Sequence, residues 1–240
     1  MNMNKRKRSV FLSITLSMVV KNEGNRYLKR ALMQHKPFIN AAVIIDDAST
    51  DDTILICKEV LTGIPLKIVE NKESRFFNEI TLRKQQWEET IQTNPDWILN
   101  LDSDEMMESS FLTQYEIITN QQMYDAVYFR LYDMWNDSHY REDKYWYAHR
   151  TFRPFLVRFK PTDQYVWKET AQHCGRFPLN IFEYKHFYST VKIQHYGWST
   201  EKDRKAKYER YMELDNGGVY GCLEQYHSIL DKDPNLIKWG

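Results

Sequence analysis

The 240-residue chain has few residues of the kinds that cross-link or stiffen a fold: three cysteines, eight glycines and seven prolines. Cys57, Cys174 and Cys222 are scattered, odd in number and without metal-ligand spacing, so no disulfide framework or zinc site is indicated and a reducing compartment fits. The charge has no excess of either sign, with 33 basic and 33 acidic residues. A general nucleic-acid binder is usually basic, so this class is disfavoured.

No apolar run in the sequence is long enough to span a bilayer. The basic stretch Lys5–Arg8 followed by VFLSITLSMVV imitates a signal peptide, but no small-residue cleavage site follows it. We interpret the stretch as a basic tail before a buried first strand, because its Val, Ile and Leu content without a clear period suits a strand covered on both faces. The tail could contact an anionic membrane surface, with a solvated tail as the alternative. The predicted location is the cytoplasm, including the inner face of the membrane.

Strand-like and helix-like segments alternate through the first half. Strands are predicted at 11–20, 41–47, 65–70 and 96–102, with helices at 26–35, from the Ser49-Thr50 cap to about residue 62, and at 77–93. This order is typical of a mostly parallel sheet with helices on both faces. Strands at 126–135, 153–160 and 191–198 lack regular helical crossovers and predict an antiparallel extension, followed by helices at 200–215 and about 221–230.

Three polar clusters fall where the predicted strands end, the edge at which such sheets bind ligands: Lys21-Asn22-Glu23, Asp46-Asp47 and Asp102–Glu105. The last places three carboxylates within four positions, although like charges repel and lose water when buried. On an extended backbone, Asp102 and Asp104 would present two carboxylates to one point, which suits Mg²⁺ or Mn²⁺ with substrate phosphates. The alternative is an acidic turn that caps a helix near Glu108.

Three segments, VVKNEGNRYLKRAL, IIDDASTDDT and DWILNLDSDE, resemble in this order the family 2 glycosyltransferases of the GT-A fold. The resemblance covers residues 11–110 and continues more weakly through QHYGW and the helix after it. It implies an α/β fold of the GT-A type, three-layer α/β/α, with a mostly parallel central sheet and a smaller antiparallel C-terminal extension. Because the sequence shows no internal repeat, low-complexity run or evident linker, we expect one domain over residues 1–240, and the resemblance implies a donor-binding half at 9–110 and an acceptor-binding half with C-terminal helices at 111–240.

The resemblance implies an inverting transferase that depends on a divalent cation, Mn²⁺ or Mg²⁺. The donor would be a nucleotide-diphosphate sugar, by default a UDP-sugar. The acceptor would be a hydroxyl of a glycan, a lipid-linked molecule or a protein, in the synthesis of a surface polysaccharide, glycolipid or glycoprotein. A nucleotidyltransferase of related topology would usually show a glycine-rich loop after the first strand, where Gly24 stands alone. A degenerate sugar- or nucleotide-binding domain is the other alternative, and the intact Asp-x-Asp motif argues against it.

By position, the resemblance assigns these donor-binding residues: Val19, Lys21, Glu23, Asp46, Arg83, Asp102 and Ser103. Asp46 matches the acidic residue that contacts the base or ribose, while Asp47 is expected to order the Ser49-Thr50 turn. Lys21 stands where relatives often carry an aromatic ring, so no residue is assigned to base stacking. Arg83 matches a basic position near the donor phosphates, with a solvated helix face as the alternative.

The resemblance implies that Asp104 binds the metal directly, and that Asp102 beside it binds ribose or reaches the metal through water. His195 is the third implied metal ligand, and the alternative for it is a structural role. An inverting transfer also needs a general base. Glu169, in VWKET, matches the Glu of a His-Glu pair although Lys168 replaces the histidine, and Asp143 resembles an acid motif by letters alone. We prefer Glu169 because its distance from the first strands fits better.

The segment 133–149 is dense in Trp, Tyr and His and is interpreted as the acceptor side, with a packed hairpin as the alternative. The helix after His195 is rich in basic residues: Lys202, Arg204, Lys205, Lys207 and Arg210. They could cover the diphosphate, or form a largely solvated face.

Overall fold

The computed structural model describes residues 12–240, so the tail at Lys5–Arg8 and the start of the predicted first strand lie outside the described residues. The first half contains β1 (Ile14–Val20), α1 (Leu28–His35), β2 (Ala41–Asp46), α2 (Thr53–Val60), β3 (Leu66–Glu70), α3 (Glu79–Ile91) and β4 (Trp97–Asn100). Each element lies within its predicted range. Local hydrophobic pattern and turn residues therefore suffice to define this half.

The second half contains β5 (Glu105–Met107), α4 (Tyr115–Asn120), β6 (Ala126–Asp133), β7 (His139–Arg141), β8 (Phe152–Arg158), β9 (His186–His195), α5 (Glu201–Leu214), α6 (Leu223–Ser228) and β10 (Leu236–Lys238). Three short strands, β5, β7 and β10, were not predicted. The strand β9 ends at His195, and a 3₁₀ turn at Tyr196–Trp198 replaces the predicted end of that strand. Within residues 12–240, no helix has both the length and the apolar character needed to cross a membrane.

The central sheet has eight strands in the order β3-β2-β1-β4-β8-β6-β9-β5. β1 pairs in parallel with β2 and β4, and β2 with β3, while β8 runs antiparallel to both β4 and β6. β6 and β9 are parallel, and β5 closes the edge antiparallel to β9. A second, two-stranded antiparallel sheet joins β7 and β10. The predicted α/β class with an antiparallel C-terminal extension is confirmed.

Helices cover both faces of the parallel strands, which explains why β1 is buried at all seven positions. On one face, Leu16 and Met18 belong to a buried cluster with Leu28 and Leu32 of α1. On the other face, Val19 packs in a cluster with Leu82 of α3. The sheet is thus the middle of three layers.

Candidate active site

The carboxyl ends of β1, β2 and β4 meet at one edge of the sheet. Val20 of β1 pairs with Asp46 of β2, and Ser17 of β1 pairs with Asn100 of β4. The chain therefore leaves β1 beside the end of β2 and beside β4, which leads into the acidic segment Asp102–Glu105. This register brings the three predicted polar clusters to a common edge.

Two buried carboxylates at this edge have an oxygen without a partner among the described residues. Asp46 accepts a hydrogen bond from the Ser49 amide at Oδ2 (3.0 Å), and its Oδ1 is free. Glu23 accepts from Arg26 at Oε1 (2.9 Å), and its Oε2 is free. Burial, only partly opposed by Arg26, raises the pKa of Glu23 to about 7. Because unpaired buried oxygens cost stability, these two mark a place for a hydrogen-bond donor from a ligand.

The expectation that Asp47 orders the Ser49-Thr50 turn is wrong, because the Ser49 amide bonds to Asp46 instead. Asp47 accepts from the backbone amides of Arg75 (2.9 Å) and Phe76 (3.2 Å), so it fixes the segment that precedes α3. That segment holds the Phe76 ring with the Lys21 ammonium 5.8 Å from its centre. The Phe76 ring therefore lies beside Lys21, the position at which the sequence has no aromatic residue.

The acidic segment is a turn and not an extended strand. β4 ends at Asn100, the Glu105 amide donates to the Asp102 carbonyl (3.1 Å), and the Asp102 amide donates to Glu105 Oε2 (2.9 Å). As a result the Asp102 and Asp104 carboxylates bind different partners, and the expected presentation of both to one point does not occur.

Asp102 and Glu105 are held by two arginines. Arg83 reaches Asp102 Oδ1 with both terminal nitrogens (3.3 and 3.2 Å). Arg176 binds both oxygens of Glu105 (2.9 and 2.8 Å) and lies 3.7 Å from Asp102. Burial opposes the ionisation of Asp102, but the two guanidinium groups hold its pKa below the ordinary value.

Asp104 faces His195 and Lys207 instead. Its Oδ2 lies 3.5 Å from His195 Nε2 and 3.6 Å from Lys207 Nζ. Although burial opposes ionisation, these cations lower the pKa of Asp104. Burial alone would lower the pKa of His195, yet Asp104 and the contact of Nδ1 with Asp133 Oδ1 (2.8 Å) help raise it to about 9.

Gly197 leaves the space beside these groups open. A Cβ at this position would clash with Lys207 Nζ, Asp104 Oδ2 and His195 Nε2. A side chain there would fill the small volume that the three groups share.

The atoms that Asp104 and His195 could offer as metal ligands fit a hard divalent cation bound together with a substrate. Asp104 supplies an oxygen, and Asp133 orients the His195 ring so that Nε2 faces Asp104, the arrangement common for metal-binding histidines. Within residues 12–240, no group of three His, Cys, Asp or Glu side chains is placed to hold a metal. The remaining ligands would come from phosphate and water, as is usual for Mg²⁺.

The remaining predicted residues differ in how they lie relative to Asp104, His195 and Lys207. Ser103 is buried within the acidic turn, whereas Val19 directs its side chain into the core. Glu169 is 65% exposed and accepts from Lys84 on α3 (2.6 Å). Asp143 uses Oδ1 to accept from the Tyr145 and Trp146 amides and Oδ2 to pair with Arg141. Neither base candidate contacts Asp104 or His195.

The aromatic segment is largely packed, as in the alternative interpretation. Trp135, Trp146 and Trp198 are buried and meet edge to face, with centroids 4.8 and 4.9 Å apart. These rings cannot stack on a sugar. Tyr147 of this segment is exposed.

Three residues of the candidate site were not predicted from the sequence: Arg176, Asp133 and Phe76. Arg176 lies on an irregular segment before β9, and no local pattern connects it with Glu105. Asp133 ends β6 beside the end of β9, and this pairing could have identified it once β6 and β9 were taken as neighbours. Lys207 was one of five basic candidates without a signal to single it out.

No protein-family model matches the sequence. A curated protein of Rickettsia felis described as an uncharacterized glycosyltransferase is 28% identical over 145 residues, 59% of this chain and 44% of that protein. One of Rickettsia bellii with the same description is 30% identical over 121 residues, 49% of this chain and 37% of that protein. The chain therefore spans less than half the length of these relatives.

Among solved structures, residues 1–349 of S. aureus TarS in complex with UDP match with a TM-score of 0.57 at 16% identity, covering 91% of this chain and 70% of that one. The complex with UDP-GlcNAc matches with a TM-score of 0.56 at 15% identity and the same coverage. At such low sequence identities, the structural similarity supports a shared fold and nothing more specific. The chain has the GT-A type nucleotide-sugar glycosyltransferase fold, and the resemblance to glycosyltransferases is confirmed at this level.

Proposed function

We propose that this chain carries the donor site and reaction centre of a glycosyltransferase that uses a nucleotide-diphosphate sugar, inverts the sugar centre and depends on Mn²⁺ or Mg²⁺. The observation that carries the proposal is the pair of buried, unpartnered oxygens on Asp46 and Glu23 at the same sheet edge as Asp104 and His195. The complexes of TarS with UDP and UDP-GlcNAc support a UDP-sugar as the donor.

The nucleoside would bind at the ends of β1 and β2. Asp46 Oδ1 and Glu23 Oε2 would accept hydrogen bonds from the base or the ribose hydroxyls. The Phe76 ring is 38% exposed, and its backbone is fixed by Asp47, so it offers a rigid face for the base. In this arrangement Phe76 takes the stacking role, while the Lys21 ammonium lies over the ring, 5.8 Å from its centre.

The diphosphate would bind near Asp104 and His195, which would hold the divalent cation. When bound, the cation would stabilise the negative charge that develops on the leaving diphosphate. Asp102 is held by Arg83, so its proposed role is to contact ribose or a water of the cation. Arg83 acts on the donor side by fixing Asp102, and Ser103 lies between the two aspartates.

The proposed general base is Glu169, which would take the proton of the acceptor hydroxyl. It is exposed and lies against α3, the helix that carries Arg83. Asp143 is the weaker candidate because hydrogen bonds and an ion pair already occupy both of its oxygens. The acceptor would be a glycan, a lipid-linked molecule or a protein. The proposed location is the cytoplasm or the inner membrane face.

The test combines UDP binding and donor turnover in the wild type and in Asp104→Asn. UDP with Mn²⁺ should raise the melting temperature of the wild type, because a ligand that binds only the folded state stabilises it. Asp104→Asn should lose the Mn²⁺-dependent part of this shift and the turnover of UDP-GlcNAc. The control is Asp137→Asn, on an exposed aspartate that pairs with Arg30 at 3.5 Å. Full turnover in Asp104→Asn would remove the metal assignment, and a wild type that binds no UDP would refute the donor site.

A further inference from the structure

Lys207 is directed into the reaction centre by the packing of α5. Thr200 caps the helix by accepting from the Asp203 amide (3.1 Å). One turn before Lys207, Asp203 is held by Arg26 Nη2 (3.1 Å) and by the Tyr27 hydroxyl (3.1 Å). These contacts fix the start of α5 against the segment that follows β1. The position of Lys207 is therefore set by anchored neighbours and is not that of a freely solvated side chain.

The ammonium group of Lys207 lies at one corner of a nearly equilateral triangle. It is 3.6 Å from Asp104 Oδ2 and 3.5 Å from His195 Nε2, and these two atoms are 3.5 Å from each other. The same nitrogen lies 4.2 Å from the centre of the Trp198 ring, which stabilises a cation on its face. Lys207 thus supplies a positive charge to the two side chains that would bind a metal.

The glycine at 197 shows how little room the three groups leave. A Cβ there would clash with all three of them, because the three groups crowd around the same point beside Gly197. A divalent cation bound to Asp104 and His195 would therefore lie within a few Å of the ammonium of Lys207. At that distance the repulsion between the two cations is strong, because the site is partly shielded from water.

Building on the proposed function, we infer that Lys207 makes metal binding depend on the nucleotide: it opposes a divalent cation alone and favours the cation together with a diphosphate. Without substrate, the ammonium and His195 together balance the charge of Asp104 in place of a metal. With substrate, the diphosphate brings negative charge that pairs with both cations, so their mutual repulsion is offset. Lys207 is in this sense a positioning residue of the donor site. Because coupling between two ligands is reciprocal, the same residue should strengthen the effect of Mn²⁺ on UDP affinity.

The test measures the binding of MnCl₂ to the protein with and without UDP, from the electron paramagnetic resonance signal of free Mn²⁺. Lys207→Met should bind Mn²⁺ alone roughly 10-fold or more tightly than the wild type, because a unit positive charge beside the cation is removed. The factor by which UDP raises the Mn²⁺ affinity should fall to a similar extent. Lys207→Gln is a second neutral variant, and thermal melting reports whether each variant is folded. Lys205→Met, on the exposed face of the same helix, should behave like the wild type.

The outcomes separate this inference from the proposed function. If the wild type binds Mn²⁺ with UDP, but the two neutral variants bind Mn²⁺ alone no more tightly than the wild type, the role given to Lys207 is refuted and the donor site stands. If UDP and Mn²⁺ fail to bind to the wild type together, the proposed function is refuted and this inference with it. Tighter binding of Mn²⁺ alone by Lys205→Met would also overturn the inference, because it would show a general charge effect.

Discussion

Replacing Arg176 with methionine should destabilise the protein by about 3–5 kcal/mol, the usual result of removing one partner from a buried ion pair. The side chain of Glu105 is 2% exposed, and Arg176 provides two of its hydrogen bonds, at 2.9 and 2.8 Å. The same guanidinium also donates to the Asn100 carbonyl (3.1 Å). Without it, Glu105 would keep the Asp102 amide as a partner but would have no cation.

Urea unfolding followed by circular dichroism measures this loss, with the slope of the transition checked for a change in the unfolding process. The corresponding fall in melting temperature is roughly 6–20 °C for a chain of this size. The matched control is Arg150→Met. Arg150 pairs with Glu142 at 2.6 Å, but its side chain is 62% exposed, so its loss should cost about 0–1 kcal/mol.

A double variant tests whether the unpaired charge is the cause. Glu105→Gln combined with Arg176→Met removes both charges of this ion pair, so it should be more stable than Arg176→Met alone. Two neighbouring residues that interact give such non-additive changes. A loss below about 1 kcal/mol for Arg176→Met, or a double variant as unstable as the sum of the single ones, would refute the reasoning.

Two further predictions concern the donor and the base. Phe76→Ala should weaken UDP binding roughly 5- to 150-fold by calorimetry, because stacking contributes about 1–3 kcal/mol per base. Phe77→Ala, which removes a 72% exposed ring next to it, is the matched control, and equal losses in both variants would contradict the stacking role of Phe76. Glu169→Gln should lower kcat about 10²- to 10⁴-fold with UDP affinity unchanged, as for loss of a general base. If Asp143→Asn gives that pattern instead, the base lies in the aromatic segment.

The parallel half of the fold follows from sequence because its signals are local. The runs around Met18, Ile44 and Leu99 are apolar at successive positions, and turn residues bound them. A strand covered on both faces needs no partner to be recognised in this way. The common edge at which Asp46 and Glu23 lie then follows from parallel topology, without any knowledge of the side-chain contacts.

The contacts within the site depend on residues far apart in the chain. β5 has three residues, and it exists because Glu105 pairs with His195 across the sheet. Strand formation of this kind reflects its neighbours more than its own residues. Arg176 likewise reaches Glu105 from a segment without regular structure. The sequence could therefore indicate that the carboxylates need positive partners, but not which cations would supply them.

These partners change how ligand binding at the acidic turn should be understood. A bare cluster of three carboxylates would repel a diphosphate, and a metal would have to bind first. Here each carboxylate has its own cation: Arg83 on Asp102, Arg176 on Glu105, and Lys207 with His195 on Asp104. The first two pairs fix the turn, whereas the third holds its charges 3.5–3.6 Å apart, beyond ordinary hydrogen-bond distance. Among these pairs, Asp104 has the longest separations from its cations, so we expect donor binding to rearrange Asp104 and Lys207 while the arginines keep the turn in place.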